Sequence, residues 1–146
     1  HPASFARDLV ASARDAGATL VPVEGTVSPC PKVTVMAPFG TPQESGLVLE
    51  TAAGRVLVVG CAHPGVVEMV EAAVESGGGP VVAVLGGFHL NSHSAEQVDR
   101  IARDLLALGV RQCGPAHCTG ERAIAQLTAD FAGGAIGMGV GAVVTF

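Results

Sequence analysis

The stretch Val56-Leu57-Val58-Val59-Gly60-Cys61-Ala62-His63-Pro64-Gly65, running on into the apolar segment Val66 to Val74, decides how this chain folds. Four aliphatic residues in a row suit a buried strand. Gly60 and Pro64-Gly65 punctuate a loop, and the segment after them reads as a helix that stops at Ser76-Gly77-Gly78-Gly79. The same order recurs downstream. Val81 to Leu85 passes through Gly86-Gly87-Phe88-His89-Leu90 into a helix predicted over Ser94 to Leu108, where Ser94 and Gln97 have capping-box spacing. Val110 to Cys113 passes through Gly114-Pro115-Ala116-His117-Cys118-Thr119-Gly120 into a helix predicted over Glu121 to Phe131. Strands that alternate with helices in this way build a largely parallel sheet.

Upstream the rhythm differs. Leu47-Val48-Leu49 and Val56 to Val59 flank Ala52-Ala53-Gly54, which predicts a β-hairpin and therefore a mixed sheet. A first helix opens at Pro2-Ala3-Ser4, with Phe5, Leu9, Val10 and Ala13 at helical spacing, and Gly17 ends it. Short strands are expected at Thr19 to Val23 and Val33 to Met36, with a loop over Glu24 to Pro31, and Ala142 to Thr145 reads as a closing strand. The fold class is α/β, a mixed sheet with flanking helices.

Composition bounds the function. The 146 residues are 49% apolar and only 3% aromatic, which suits one domain of buried strands under small-residue helices. Thirteen acidic residues against eight basic ones give a net charge of −5, which argues against a nucleic-acid partner. No apolar stretch approaches the roughly 18–20 residues of a membrane span. Four cysteines, Cys30, Cys61, Cys113 and Cys118, are too few and too irregular for a secreted disulfide framework. Reduced thiols and a cytoplasmic location are the expectation. The chain starts at His1, so it is either processed or part of a longer one. The two common phosphate-binding glycine loops are absent, and Gly137-Met138-Gly139-Val140-Gly141 precedes a strand instead of opening a helix.

The chemistry concentrates in three loops. His63, His89 and His117 each follow a strand and precede a helix, where open α/β sheets collect their ligands. Three imidazoles at one sheet edge suit a divalent metal, with zinc leading and manganese or iron as alternatives. Cys61 and Cys118 stand beside these histidines and could enter the shell as thiolates. Cys113 and Cys30 read as structural, and His93, just before a helix cap, as exposed. Thr119, Gly120 and the amides of the following helix could hold an anion such as phosphate. No paired carboxylates fall in the loops, and no serine elbow is present.

The loops GCAHPG, GGFHL and PAHCTG, taken together with the Gly-rich apolar end of the chain, resemble the metallo-β-lactamase-fold hydrolases. The nearest branch is the dihydropterin-ribofuranosylaminobenzene-phosphate synthase-like one, also labelled 7,8-dihydropteroate synthase-like. The likeness runs from about Gln43 to Phe146. It implies one half of an αββα sandwich, with residues 1–42 as a connecting helix and strands and 43–146 as the C-terminal half. It implies His63 and His117 as metal ligands, His89 and Cys61 as catalytic candidates, and Phe88 with Thr119 and Gly120 near substrate. Gly60-Cys61 stands where many relatives have Gly-Asp, which leaves either His63 or Cys61 in the bridging place. The implied reaction is attack of metal-activated hydroxide on an ester or phosphoester of a small molecule. The HxHxDH motif of the other half is absent from the chain. Activity is therefore expected only with an N-terminal half or in a homo-oligomer. The alternative is a non-catalytic metal- or ligand-binding module.

Overall fold

A computed structural model describes residues 7–146. Its elements are α1 (Arg7–Asp15), β1 (Val27–Cys30), β2 (Val33–Val35), β3 (Leu47–Thr51), β4 (Gly54–Val59), α2 (Val66–Glu75), β5 (Val81–Gly87), α3 (Ala95–Ala107), β6 (Gln112–Ala116) and α4 (Glu121–Asp130), with a 3-10 turn at His117–Thr119. The six strands form one sheet in sequence order, β1 to β6. β1 to β4 are antiparallel neighbours, whereas β5 and β6 join parallel to β4 and to each other. The expected mixed sheet with flanking helices is thus observed.

The hairpin forms where the sequence placed it, with Thr51 opposite Gly54 and the Thr51 hydroxyl donating to the Gly54 carbonyl at 2.7 Å. α2 buries Val66, Met69, Val70 and Ala73, the three- and four-residue spacing of a helix face turned to a sheet. α3 buries Val98, Ala102 and Leu105, and its Ser94–Gln97 capping box is complete. With α4 these helices cover one face of the sheet, enclosing Leu57, Val84, Phe88 and Leu127. The other face is thinner. There Val56, Ala83 and Leu85 are covered by Leu49, Val58, Ile136 and Phe146, the last two from the C-terminal tail.

Three expectations need correction. The loop read over Glu24 to Pro31 contains β1, an exposed edge strand, and an edge tolerates Pro29 because its missing N–H need bond nothing. Thr19 to Val23 makes only a single-residue bridge at Val23. Ala142 to Thr145 is not a strand, because a strand needs a partner ladder and the edge of β6 is already met by Ala135 opposite Cys113. The start of the first helix, including Phe5, lies outside the described residues; its described part, α1, buries no residue.

One buried charge supports the turn from α2 into β5. Arg55, on β4, is 4% exposed. Its guanidinium donates to the carbonyls of Ala73 at 2.8 Å, Gly77 and Gly79 at the end of α2. Ala73 lies in the last turn of α2, whose carbonyls lack helical N–H partners, and a cation there also meets the negative end of the helix dipole. Burial pushes the Arg55 pKa down, while Glu50 across the hairpin pushes it back up. Arg55→Met should destabilise the fold by about 1–2 kcal/mol, since three hydrogen bonds to the turn are lost while only water and the Ser76 hydroxyl replace them. Arg55→Lys should rescue little, because a point charge cannot span the fork. Denaturant unfolding of both variants checks this, and a wild-type midpoint would refute the cap.

Candidate metal centre and adjoining cleft

The parallel register aligns the ends of three strands. Val59 of β4 lies opposite Gly86, and Gly87 of β5 lies opposite Ala116 of β6. The loops that carry Cys61 and His63, His89, and His117 and Cys118 therefore leave the sheet at one edge. The Gly87 amide donates to the Gly60 carbonyl at 2.9 Å and ties the first loop to the second. The Thr119 hydroxyl ties the second to the third, accepting from the Phe88 amide at 3.0 Å and donating to the Ala116 carbonyl at 2.7 Å. Thr119 is fully buried, so its hydroxyl serves as a clasp between loops and is not free to hold an anion.

Each loop holds one residue with a side chain in left-handed backbone conformation: Ala62 at φ 51°, His89 at 53° and His117 at 49°. L-residues avoid this region at a cost on the order of 1 kcal/mol or more, and such strain gathers at functional sites.

The ligand atoms of Cys61, His117 and Cys118 lie within 4.8 Å of one another. A tetrahedron drawn at the zinc–sulfur distance of about 2.3 Å has edges of about 3.8 Å, so small side-chain rotations would bring all three donors onto one ion. Two sulfurs and an imidazole suit zinc or iron better than magnesium or calcium. Two protein thiolates and a histidine also leave a fourth position open, as catalytic zinc sites do. The donor set fits the metal. Cys61 and Cys118 are partly buried, and the Cys118 thiol reaches the Cys61 carbonyl at 3.6 Å. Burial, then interaction with the Cys118 thiol, pushes the Cys61 pKa up.

His63 stands outside that triad. Its Nδ1 is bonded to a Glu44 carboxylate oxygen, and its amide donates to the other at 3.2 Å. The His63 and His89 rings are 4.4 Å apart, tilted by 56°. Both border a cleft of about 290 Å³ that Phe88, Glu68 and Asp104 also line. His93 lines it too: half-buried, not exposed as expected, with an Nδ1 atom buried and without a hydrogen-bond partner. His117 borders a second cavity of about 400 Å³ with Ile124, Ile136 and Met138. Gly120 opens α4 at φ 82°, and a Cβ there would meet the Asn91 Cα at 2.9 Å.

Glu44 is the candidate site residue that sequence reading passed over. It lies 19 residues before His63, in the loop between β2 and β3, so no local spacing joins the two. A pair of backbone hydrogen bonds with Phe39 holds that loop.

No protein-family model matches this chain. Over 89 residues it is 39% identical to the 7,8-dihydropterin-6-methyl-4-(beta-D-ribofuranosyl)-aminobenzene-5'-phosphate synthase of Methanocaldococcus jannaschii, a match covering 60% of this chain and 30% of that one. Its structure superposes with a TM-score of 0.72 and 25% identity on the crystal structure of Tm1679, a metal-dependent hydrolase of the β-lactamase superfamily. The fold is metallo-β-lactamase-like. The superposition covers 81% of this chain and 54% of Tm1679, so the chain spans about half of that hydrolase and less than a third of the synthase. In this metallo-β-lactamase-like sheet the histidine- and cysteine-bearing loops all sit at the carboxyl ends of the parallel strands.

A Cβ at Gly87 would stand 2.6 Å from the Gly60 carbonyl oxygen and 2.8 Å from the Cys118 sulfur. Gly87→Ala should therefore part the loops, costing about 1–3 kcal/mol of stability and lowering metal uptake. Thermal unfolding and metal analysis of the variant check this; wild-type values in both would show that the contact is slack.

Proposed function

We propose that this chain is the C-terminal half of a metal-dependent hydrolase acting on an ester or phosphoester, competent once an N-terminal half completes it. The observation that carries the reading is the meeting of Cys61, His117 and Cys118 donors at the sheet edge, within 4.8 Å of one another. These three would hold a divalent metal, zinc before iron or manganese. A bound metal there supplies Lewis acidity and lowers the pKa of water.

The chain's own groups do the rest. Glu44 takes up Nδ1 of His63, which leaves Nε2 as the ring nitrogen free to meet substrate. His63 and His89, side by side at the mouth of the cleft, take a proton from the attacking water or give one to the leaving oxygen. Phe88 lines the cleft floor, and its amide is fixed by Thr119. Support for a phosphate-bearing substrate comes from the name of the Methanocaldococcus relative.

The half reading draws on the second sheet face. Leu47 and Met138 are exposed, and Val56, Ala83 and Leu85 have only a few residues above them. An N-terminal half, or a second copy of the chain, would cover this apolar face. No helix among the described residues is long and apolar enough to cross a membrane.

Elemental analysis of the purified chain should find about one equivalent of zinc, and His117→Ala should weaken zinc binding at least about 100-fold with the fold intact by circular dichroism. Unchanged zinc content would refute the ligand assignment. Sedimentation should show self-association, or a complex with a supplied N-terminal half, and a stable monomer at high concentration would argue against the half reading.

A further inference from the structure

Cys61 and Cys118 are 57 residues apart in sequence, yet the Cys118 thiol reaches the Cys61 carbonyl and the two sulfurs lie within 4.8 Å of one another. Both are free, and both are partly accessible. The other thiols are placed differently. Cys113 is fully buried in β6, where burial pushes its pKa up to about 12, and Cys30 is exposed on the edge strand β1. The loops presenting the pair are held at close range by the Gly87–Gly60 and Thr119–Phe88 hydrogen bonds. Gly87 permits this approach, because a Cβ there would stand 2.8 Å from the Cys118 sulfur and 3.4 Å from the Cys61 Cα.

We propose that Cys61 and Cys118 form a peroxide-sensitive dithiol whose disulfide-bonded and metal-bound states exclude one another, which rests on the metal reading above. Hydrogen peroxide is the oxidant. One thiol attacks a peroxide oxygen and breaks the O–O bond, giving a sulfenic acid and one water. The second thiol then attacks that sulfur and expels a second water as the S–S bond closes. Two thiols and one peroxide thus become one disulfide and two waters, with two electrons passing from sulfur to oxygen. Closure removes two donors of the Cys61–His117–Cys118 triad and leaves His117 alone, too little to retain a metal. A bound metal in turn occupies both sulfurs and slows the reaction with peroxide.

The test uses the chain carrying Cys30→Ser, so that the exposed thiol cannot cross-link copies. Stripped of metal and treated with hydrogen peroxide, it should lose the mass of two hydrogens, and peptide mapping should join Cys61 to Cys118. Loaded with zinc, it should oxidise at least about tenfold more slowly and release zinc to a colorimetric chelator as the bond forms. Cys118→Ser should give no cross-link, and a sulfenic acid on Cys61 should be trapped by dimedone instead. Failure of the metal-free chain to form the Cys61–Cys118 bond overturns the proposal, as does a cross-linked chain that keeps its zinc. A reduced chain that takes up no zinc overturns the metal reading and the exclusion with it; a chain that binds zinc but never cross-links overturns the dithiol alone.

Discussion

The closeness of β5 to the loop leaving β4 governs everything at the sheet edge. Gly87 donates to the Gly60 carbonyl, and the volume a side chain would need there is taken by that oxygen and by the Cys118 sulfur. Because no Cβ intervenes, a thiol from the loop after β4 and a thiol and an imidazole from the loop after β6 converge across the end of β5. The Thr119 clasp then fixes the third loop against the second. A buried hydroxyl with both its donor and acceptor roles satisfied gives this arrangement direction as well as proximity.

The parallel half of the fold was legible because each unit announces itself locally. Aliphatic runs of strand length, glycine-bounded loops and amphipathic helices with a capping box depend on neighbours within a few residues. The same locality made the histidines readable as one group, since each occupies the same position after its strand. What failed to show depends on tertiary context. β1 is a strand only because β2 lies beside it, and Ala142 to Thr145 is not one because no ladder awaits it. Glu44 reaches His63 from a loop whose placement follows from the pairing of β3 with β4. His93 looks like a solvated residue ahead of a helix cap until the folded chain places it against the cleft.

The two sheet faces differ in character. One is sealed by α2, α3 and α4 over a continuous core, and the other is screened by tail residues such as Ile136 and Phe146. Arg55 belongs to the sealed side, where a charge is tolerated because it donates to carbonyls at the end of α2 and in the turn that follows. That pairing anchors the return of the chain into β5, and β5 in turn sets the height of the loop carrying His89.

The sheet changes hand at β4, antiparallel on its β3 side and parallel on its β5 side. Pairings on the first side join stretches that follow each other directly in the chain, while those on the second enclose whole helices within the loops they close. Such closures cost more chain entropy and are repaid only when helix and strand dock together. All the candidate chemistry lies on that second side, at its outer ends. Reactivity here is consequently a cooperative property of the entire crossover half: a shorter piece could keep the hairpin and still hold none of the chemistry.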